Sequence, residues 1–156
     1  MPEGIIIRKM AEDEIPLVRD LIHHAIGRCF PVVYNETCIN YFYRYHSEEN
    51  ILRRAQDGET YVLECDQQIV GTGNITGNTI NALYVHSDNQ HKGFGKALLH
   101  TLLQKAKQKG QRSIVLAATS NSLEFYIKMG WSIERKRYEK IDNNEELEYY
   151  DMILYI

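Results

Sequence analysis

No stretch of this chain approaches the roughly 20 consecutive apolar residues that a membrane-spanning helix needs. The opening MPEGIIIRKM also lacks the long apolar run and small-residue cleavage site of a secretory leader. Cysteine is scarce and odd in number. Cys29, Cys38 and Cys65 show no metal-ligand spacing, so they read as reduced thiols of a cytoplasmic protein. The six histidines are scattered, and the adjacent His23 and His24 would diverge on a helix, so no metal is expected. Positive charge is not in surplus: 18 Lys and Arg against 21 Asp and Glu give a formal charge of −3. A general nucleic-acid binder displaces counterions with a basic surface, and this balance argues against that class while leaving room for a local basic pocket. Repeats, linkers and low-complexity segments are missing as well.

What remains is an ordinary globular composition, 44% apolar and 25% charged over 156 residues. That length suits one domain, 1–156, able to bury about two thirds of its unfolded surface. Ile5–Arg8 reads as a strand. Ile15, Val18, Leu21, Ile22 and Ile26 recur at helical spacing, with Gly27 as the stop. After the irregular CFPVVYNETC, one helical segment is predicted from about Glu36 to Gln56, ended by Asp57-Gly58. TYVLEC, QQIVGTGNI and TINALYV form an antiparallel meander with corners at Asp66–Gln67 and Gly77-Asn78. A helix follows with apolar positions Phe94, Leu98, Leu99, Leu102, Leu103 and Ala106, closed by Gly110. SIVLAAT has the unalternating apolar run of a strand with a parallel neighbour. The short helix SLEFYIKM stops at Gly130, and WSIERKRYE and ELEYYDMILYI make a last hairpin. The order β-α-α-β-β-β-α-β-α-β-β implies a mixed sheet with helices on both faces.

The segment QHKGFGKALL, Gln90 to Leu99, carries the first chemical signal. It is not a P-loop, because Gly95-Lys96 is followed by Ala97 and no glycine lies five residues before Gly95. A dinucleotide fingerprint fails too, since Leu98 stands in its third glycine position and the preceding strand ends a meander. Gln90, Gly93 and Gly95 do fit Q/R-x-x-G-x-G/A between a strand and a long helix. Without a Cβ, the glycines let a pyrophosphate reach the main chain. The N–H groups of His91, Lys92, Gly93, Phe94, Gly95 and Lys96 would then face the anion, helped by the helix dipole and the charges of Lys92 and Lys96. A glycine-bearing helix start with no ligand is the alternative.

Two motifs together resemble the GNAT superfamily of acyl-CoA-dependent N-acyltransferases: INALYVHSDNQHKGFGKALL and, further on, SNSLEFYIKMGW. The first is similar to that family's strand–loop–helix acceptor for coenzyme A. The second is similar to its Asn…(F)Y-x-K-x-G-(F/W) segment. The resemblance implies an α/β fold, a mixed α+β three-layer sandwich whose mostly antiparallel sheet splays between the fourth and fifth strands. It implies that main-chain groups of Leu83, Tyr84 and Val85 are left free for the pantetheine arm, which pairs with them like an added strand. A bulge would aim the Val85 N–H at the thioester carbonyl, a type of contact whose loss typically costs ~3–4 kcal/mol. Tyr126 takes the general-acid role, Asn121 bonds the pantetheine amide or simply caps its helix, and Lys128 reaches a cofactor phosphate.

The sequence departs from the family at the base. The matching inward positions hold Thr79 and Asn81, which do not titrate near neutral pH. Glu64 on the neighbouring strand, His86, a water or no base at all remain open. Acceptor specificity is expected from the first two helices, their aromatic connection (Phe30, Tyr34, Tyr41, Phe42, Tyr43, Tyr45) and the final hairpin. The implied activity is transfer of an acetyl group from acetyl-CoA, as co-substrate, to a primary amine, in all expectation a small molecule's. The alternatives are a protein or peptide N-acetyltransferase and a non-catalytic acyl-CoA-binding sensor. Acetyl-CoA and the amine acceptor are the expected partners, with no nucleic acid and no membrane, for a monomer or homodimer.

Overall fold

A computed structural model describes residues 4–156. Its strands are β1 (Ile5–Lys9), β2 (Glu59–Cys65), β3 (Gln68–Thr76), β4 (Thr79–Val85), β5 (Ser113–Thr119), β6 (Ser132–Lys140) and β7 (Glu146–Tyr155). Its α-helices are α1 (Ile15–Cys29), α2 (Glu36–Tyr45), α3 (Glu48–Asp57), α4 (Phe94–Gln108) and α5 (Leu123–Lys128). The seven strands form one sheet in the order β1-β2-β3-β4-β5-β7-β6. All neighbours run antiparallel except β4 and β5.

Two apolar layers explain why helices lie on both faces. Strand side chains alternate, so Val62 and Leu63, adjacent on β2, feed opposite cores. Leu63 joins Leu98, Leu99, Leu102 and Ala106 of α4, Tyr126 of α5 and Met152 of β7. Val62 joins Val18, Ile22 and Ile26 of α1, Phe42 of α2 and Ile51 of α3. Each fully buried leucine of α4 contributes about 1.5–3 kcal/mol. That helix sits close on β3 because a Cβ at Gly73 would come within 2.9 Å of Leu102. The close seating fixes where the N-terminus of α4 arrives at the sheet.

Two predicted boundaries differ. Gly27 does not stop α1, which continues to Cys29. A Cβ at Gly27 would approach the Tyr43 hydroxyl to 2.9 Å, so the glycine serves the packing of α1 against α2. The single helix expected from Glu36 to Gln56 is two helices, broken at His46–Ser47. Ser47 is an N-cap, its Oγ accepting from the Asn50 N–H at 3.2 Å, and the two acids behind it suit the helix dipole.

One ion-paired cluster ties β1 to the start of α1. Glu14 accepts from both Arg8 Nη atoms, at 2.8 and 2.6 Å, and from the Ala11 N–H at 2.7 Å. The Arg8 guanidinium holds the Glu14 carboxyl down to about 2, against an ordinary 4.5. A carboxyl lowered on folding stabilises fully above its unfolded pKa, so this contribution is lost as pH falls from about 4.5 through about 2. Thermal melts across that window should therefore show a flatter pH dependence for Glu14→Gln than for wild type; parallel curves would refute the assignment.

Candidate active site

β4 and β5 are joined by a single residue pair, Thr79 with Val115, where the Val115 N–H donates to Asn78 O at 2.9 Å. Beyond that pair the strands part. On its other side β4 stays paired with β3, but the register slips between Thr72 and Asn74, opposite Ala82 and Leu83. Ala82 takes φ +54°, an unusual value for a residue with a Cβ, and marks a bulge.

The alternation of the ladder decides which main-chain groups face the gap. The His86 N–H donates to Val70 O at 2.8 Å, and Tyr84 lies opposite Thr72. Tyr84 and His86 therefore direct their main-chain groups at β3, and Leu83 and Val85 direct theirs at the side β5 has left. This corrects the expectation for Tyr84, whose backbone is committed to the sheet. Val85 O takes a bond from Gln90 Nε2 at 3.2 Å, and the same amide reaches Cys29 Sγ at 3.5 Å.

The loop after β4 supplies a run of open donors. His91 and Gly93 adopt left-handed φ values of +64° and +83°, and Gly93 is the N-cap of α4. Among the described residues, none of the six amides from His91 to Lys96 donates to a protein acceptor; the first bonded amide is Ala97, to Gly93 O at 3.0 Å. Successive free N–H groups at a helix N-terminus make a concave anion site. His91, Lys92 and Lys96 are exposed around it, whereas the Phe94 side chain is buried in the α4 core.

α5 closes the far side. A Cβ at Gly95 would lie 3.6 Å from the Phe125 ring and 3.7 Å from Val85 Cγ2, so the loop, the gap strand and α5 meet at one point. Tyr126 stands edge-on to Phe125 and to Trp131, with centroids 5.1 and 5.8 Å apart. Burial pushes its phenol well above the usual tyrosine range. It therefore stays protonated at any working pH.

Other expected residues lie apart. Glu64 Oε1 accepts from Arg8 Nη2 at 2.9 Å, and its strand is two strand spacings, about 10 Å, from β4. His86 Nδ1 accepts from the Asp88 N–H at 3.1 Å, and its ring stacks on His24 at 4.1 Å. Asn121 is exposed, and the N-cap of α5 is Ser122 instead. Lys128 is exposed and pairs with Glu124 one turn away, at 3.1 Å.

The aromatic connection mostly packs. Phe30, Tyr34 and Phe42 are buried together, with Phe30 and Phe42 edge-on at 4.8 Å. Tyr34 also reaches across: its hydroxyl donates to Glu148 O at 2.7 Å and accepts from the Ser120 N–H at 3.0 Å. Arg44 with Asp142, and Asn35 with Glu145 at 3.1 Å, add further ties between α2 and the last hairpin. These contacts tie that hairpin to α2 and to the segment before it.

Sequence reasoning missed one polar group here. His46, 3% exposed, sits between Arg54 and the Tyr84 hydroxyl, with Arg54 Nη2 3.1 Å from Nδ1 and the hydroxyl 3.1 Å from Nε2. Nothing in the charged run SEENILRRAQ signals that Arg54 turns inward. Among the described residues no group of acids, histidines and cysteines is placed to hold a metal ion, and no helix is long and apolar enough to cross a membrane.

Residues 30–152 match the model of the acetyltransferase (GNAT) domain family. Among solved structures, a GCN5-related N-acetyltransferase from Rhodopseudomonas palustris superposes with TM-score 0.92 at 20% identity, covering 100% of this chain and 98% of its own. The PaiA N-acetyltransferase of Thermoplasma acidophilum in complex with coenzyme A gives 0.73 at 22%, covering 97% and 99%. The acetyltransferase YncA of Salmonella typhimurium with acetyl-CoA gives 0.69 at 17%, covering 98% and 94%. At such identities the likeness shows the fold. No curated protein sequence matches the chain.

Proposed function

Since the chain belongs to the GNAT acetyltransferase domain family and is an acetyltransferase, we propose that it moves the acetyl group of acetyl-CoA to the primary amine of a small molecule, as a single domain acting in the cytoplasm. The observation that carries this reading is the run of six undonated amides heading α4, set beside a strand gap closed by one residue pair. Two of the structural neighbours are described with coenzyme A or acetyl-CoA, which agrees with a nucleotide pyrophosphate as the anion.

In this reading the amides from His91 to Lys96 hold the pyrophosphate, with Lys92 and Lys96 adding charge. Leu83 and Val85 offer the pantetheine arm the hydrogen bonds that β5 does not make. The acceptor amine, arriving neutral, attacks the thioester carbonyl carbon, and the Val85 N–H stabilises the oxyanion that forms. As the carbon–sulfur bond breaks, Tyr126 gives its proton to the departing thiolate, and the proton shed by the new amide restores the phenol through solvent. Asn121 and Lys128 face solvent and would meet the cofactor only at its outer parts.

The test is thiol release from acetyl-CoA across amines, amino acids and peptides, with a melting-temperature shift by acetyl-CoA as the binding control. Turnover of small amines with a raised melting temperature supports the proposal. Turnover of peptides alone moves it to a protein acceptor. A shift without turnover supports a sensor, the reading favoured by Glu64's tie to Arg8 and by Thr79 and Asn81 at the base positions. No shift at all overturns the pyrophosphate site.

A further inference from the structure

A guanidinium partly withdrawn from water favours a counter-charge, and among the described residues Arg54 has no carboxylate partner, only the Tyr45 ring with its centroid 6.0 Å away. Burial pushes its pKa down, yet a guanidinium remains charged at any physiological pH. Among the described residues no carboxylate lies within ion-pair distance of it. Of its five N–H groups, one is accounted for, by His46 Nδ1 at 3.1 Å. Arginine only donates, so Nδ1 must accept and the His46 proton sits on Nε2, where the Tyr84 hydroxyl accepts it at 3.1 Å. Burial and the neighbouring guanidinium keep His46 neutral, so the histidine orients Arg54 without balancing it.

Arg54 lines a cavity of about 240 Å³ between α3 and the start of β4, with Tyr45, Asn50, Arg53, Asp57 and Asn81. Arg53 and Arg54 set against Asp57 leave one positive charge among the lining residues, with Arg53 also 3.6 Å from Glu49. Asn50 spends its amide N–H groups on Arg44 O and Tyr45 O, and Asn81 donates to Asn74 Oδ1. A second, much smaller cavity shares Arg54 and touches Ala82, the residue that forms the bulge. The lining of the two cavities thus includes Asn81 and Ala82, the residues of β4 just before its main chain turns to the gap.

Resting on the acetyl-transfer reading and extending it to the substrate class, we propose that the acceptor carries a carboxylate and that Arg54 binds it in this cavity. A carboxylate matches the planar fork of the guanidinium, and its single charge matches the single surplus on the walls. The acceptor is then an amino-carboxylate whose amine extends along β4 towards Val85. His46 and Tyr84 act as positioning residues for Arg54.

The test compares each acid with its amide: glycine and glycinamide, β-alanine and its amide, 4-aminobutyrate and its amide, with aminomethylphosphonate as the phosphonate arm. Calorimetry without acetyl-CoA reads binding, and thiol release reads turnover. At least one acid is expected to exceed its amide by tenfold or more in binding and in kcat/KM. Arg54→Gln should erase that preference while keeping the acetyl-CoA melting shift, and Arg54→Lys should retain part of it. Equal use of acid and amide by wild type, a preference surviving Arg54→Gln, or no acid bound in the whole series would overturn the proposal. Preference for the phosphonate over every acid would do the same. If Arg54→Gln does not fold, the wild-type comparison and Arg54→Lys still decide. A wild type that binds an acid through Arg54 but ignores acetyl-CoA would refute acetyl transfer alone.

Discussion

Tyr126→Phe is expected to lower kcat by about 10²–10⁴-fold, the usual worth of a positioned proton donor, while leaving the KM for acetyl-CoA nearly unchanged. The split follows from the geometry. The phenol belongs to the α4–α5 core, edge-on to Phe125 and Trp131, and removing its oxygen leaves that packing in place. Among the described residues no hydrogen bond joins the Tyr126 hydroxyl to another protein group, so deleting it strands no partner. A pure loss of proton donation touches the step in which thiolate leaves and not the binding of the nucleotide. Because burial raises the phenol above its usual range, the wild-type rate should show no alkaline fall from this group below pH 10. Steady-state kinetics of both proteins with one good acceptor would check the assignment. Unchanged kcat in the variant would remove Tyr126 from the chemistry and leave it a core residue.

The parts of this site that were legible beforehand are those encoded by near neighbours in the chain. Gln90, Gly93 and Gly95 sit at fixed offsets ahead of a helical apolar pattern, so the loop and its open amides could be read directly from spacing. The meander was legible for the same reason, each strand being bounded by its own turn. What depends on distant partners was not. SIVLAAT has the run of a strand between neighbours, but nothing in it says that only Val115 meets β4 while the whole strand pairs with β7. The main-chain direction of Tyr84 depends on its register with Thr72, one strand away. Arg54 lies in a run whose other charges, such as Arg53 and Glu49, are solvated, and its burial comes only from the packing of α3 against α1, β2 and β3. Even Gly27 follows this division: the residue type suggests a helix end, and the Tyr43 hydroxyl supplies the reason that it is something else.

Gly93→Val should abolish the melting-temperature shift produced by acetyl-CoA and with it all thiol release. Two effects act together at this position. Its φ of +83° is costly for any residue with a Cβ, about 1–2 kcal/mol, and more for a branched one. Valine therefore draws the N-cap of α4 out of the conformation that turns its neighbours' amides to one side. The branched side chain also occupies the space through which a pyrophosphate would approach the main chain. A change confined to the loop should lower the melting temperature of the free protein only modestly, because the leucines of α4 that hold the helix on β3 are untouched. Gly93→Ala separates the two effects: it keeps most of the backbone strain with much less bulk, and should retain a reduced shift. Thermal melts with and without acetyl-CoA on the three proteins make the comparison. If valine leaves the shift at its wild-type size, the amides from His91 to Lys96 do not hold the nucleotide. Loss of the shift in both variants would make backbone conformation, and not room for the ligand, the requirement at Gly93.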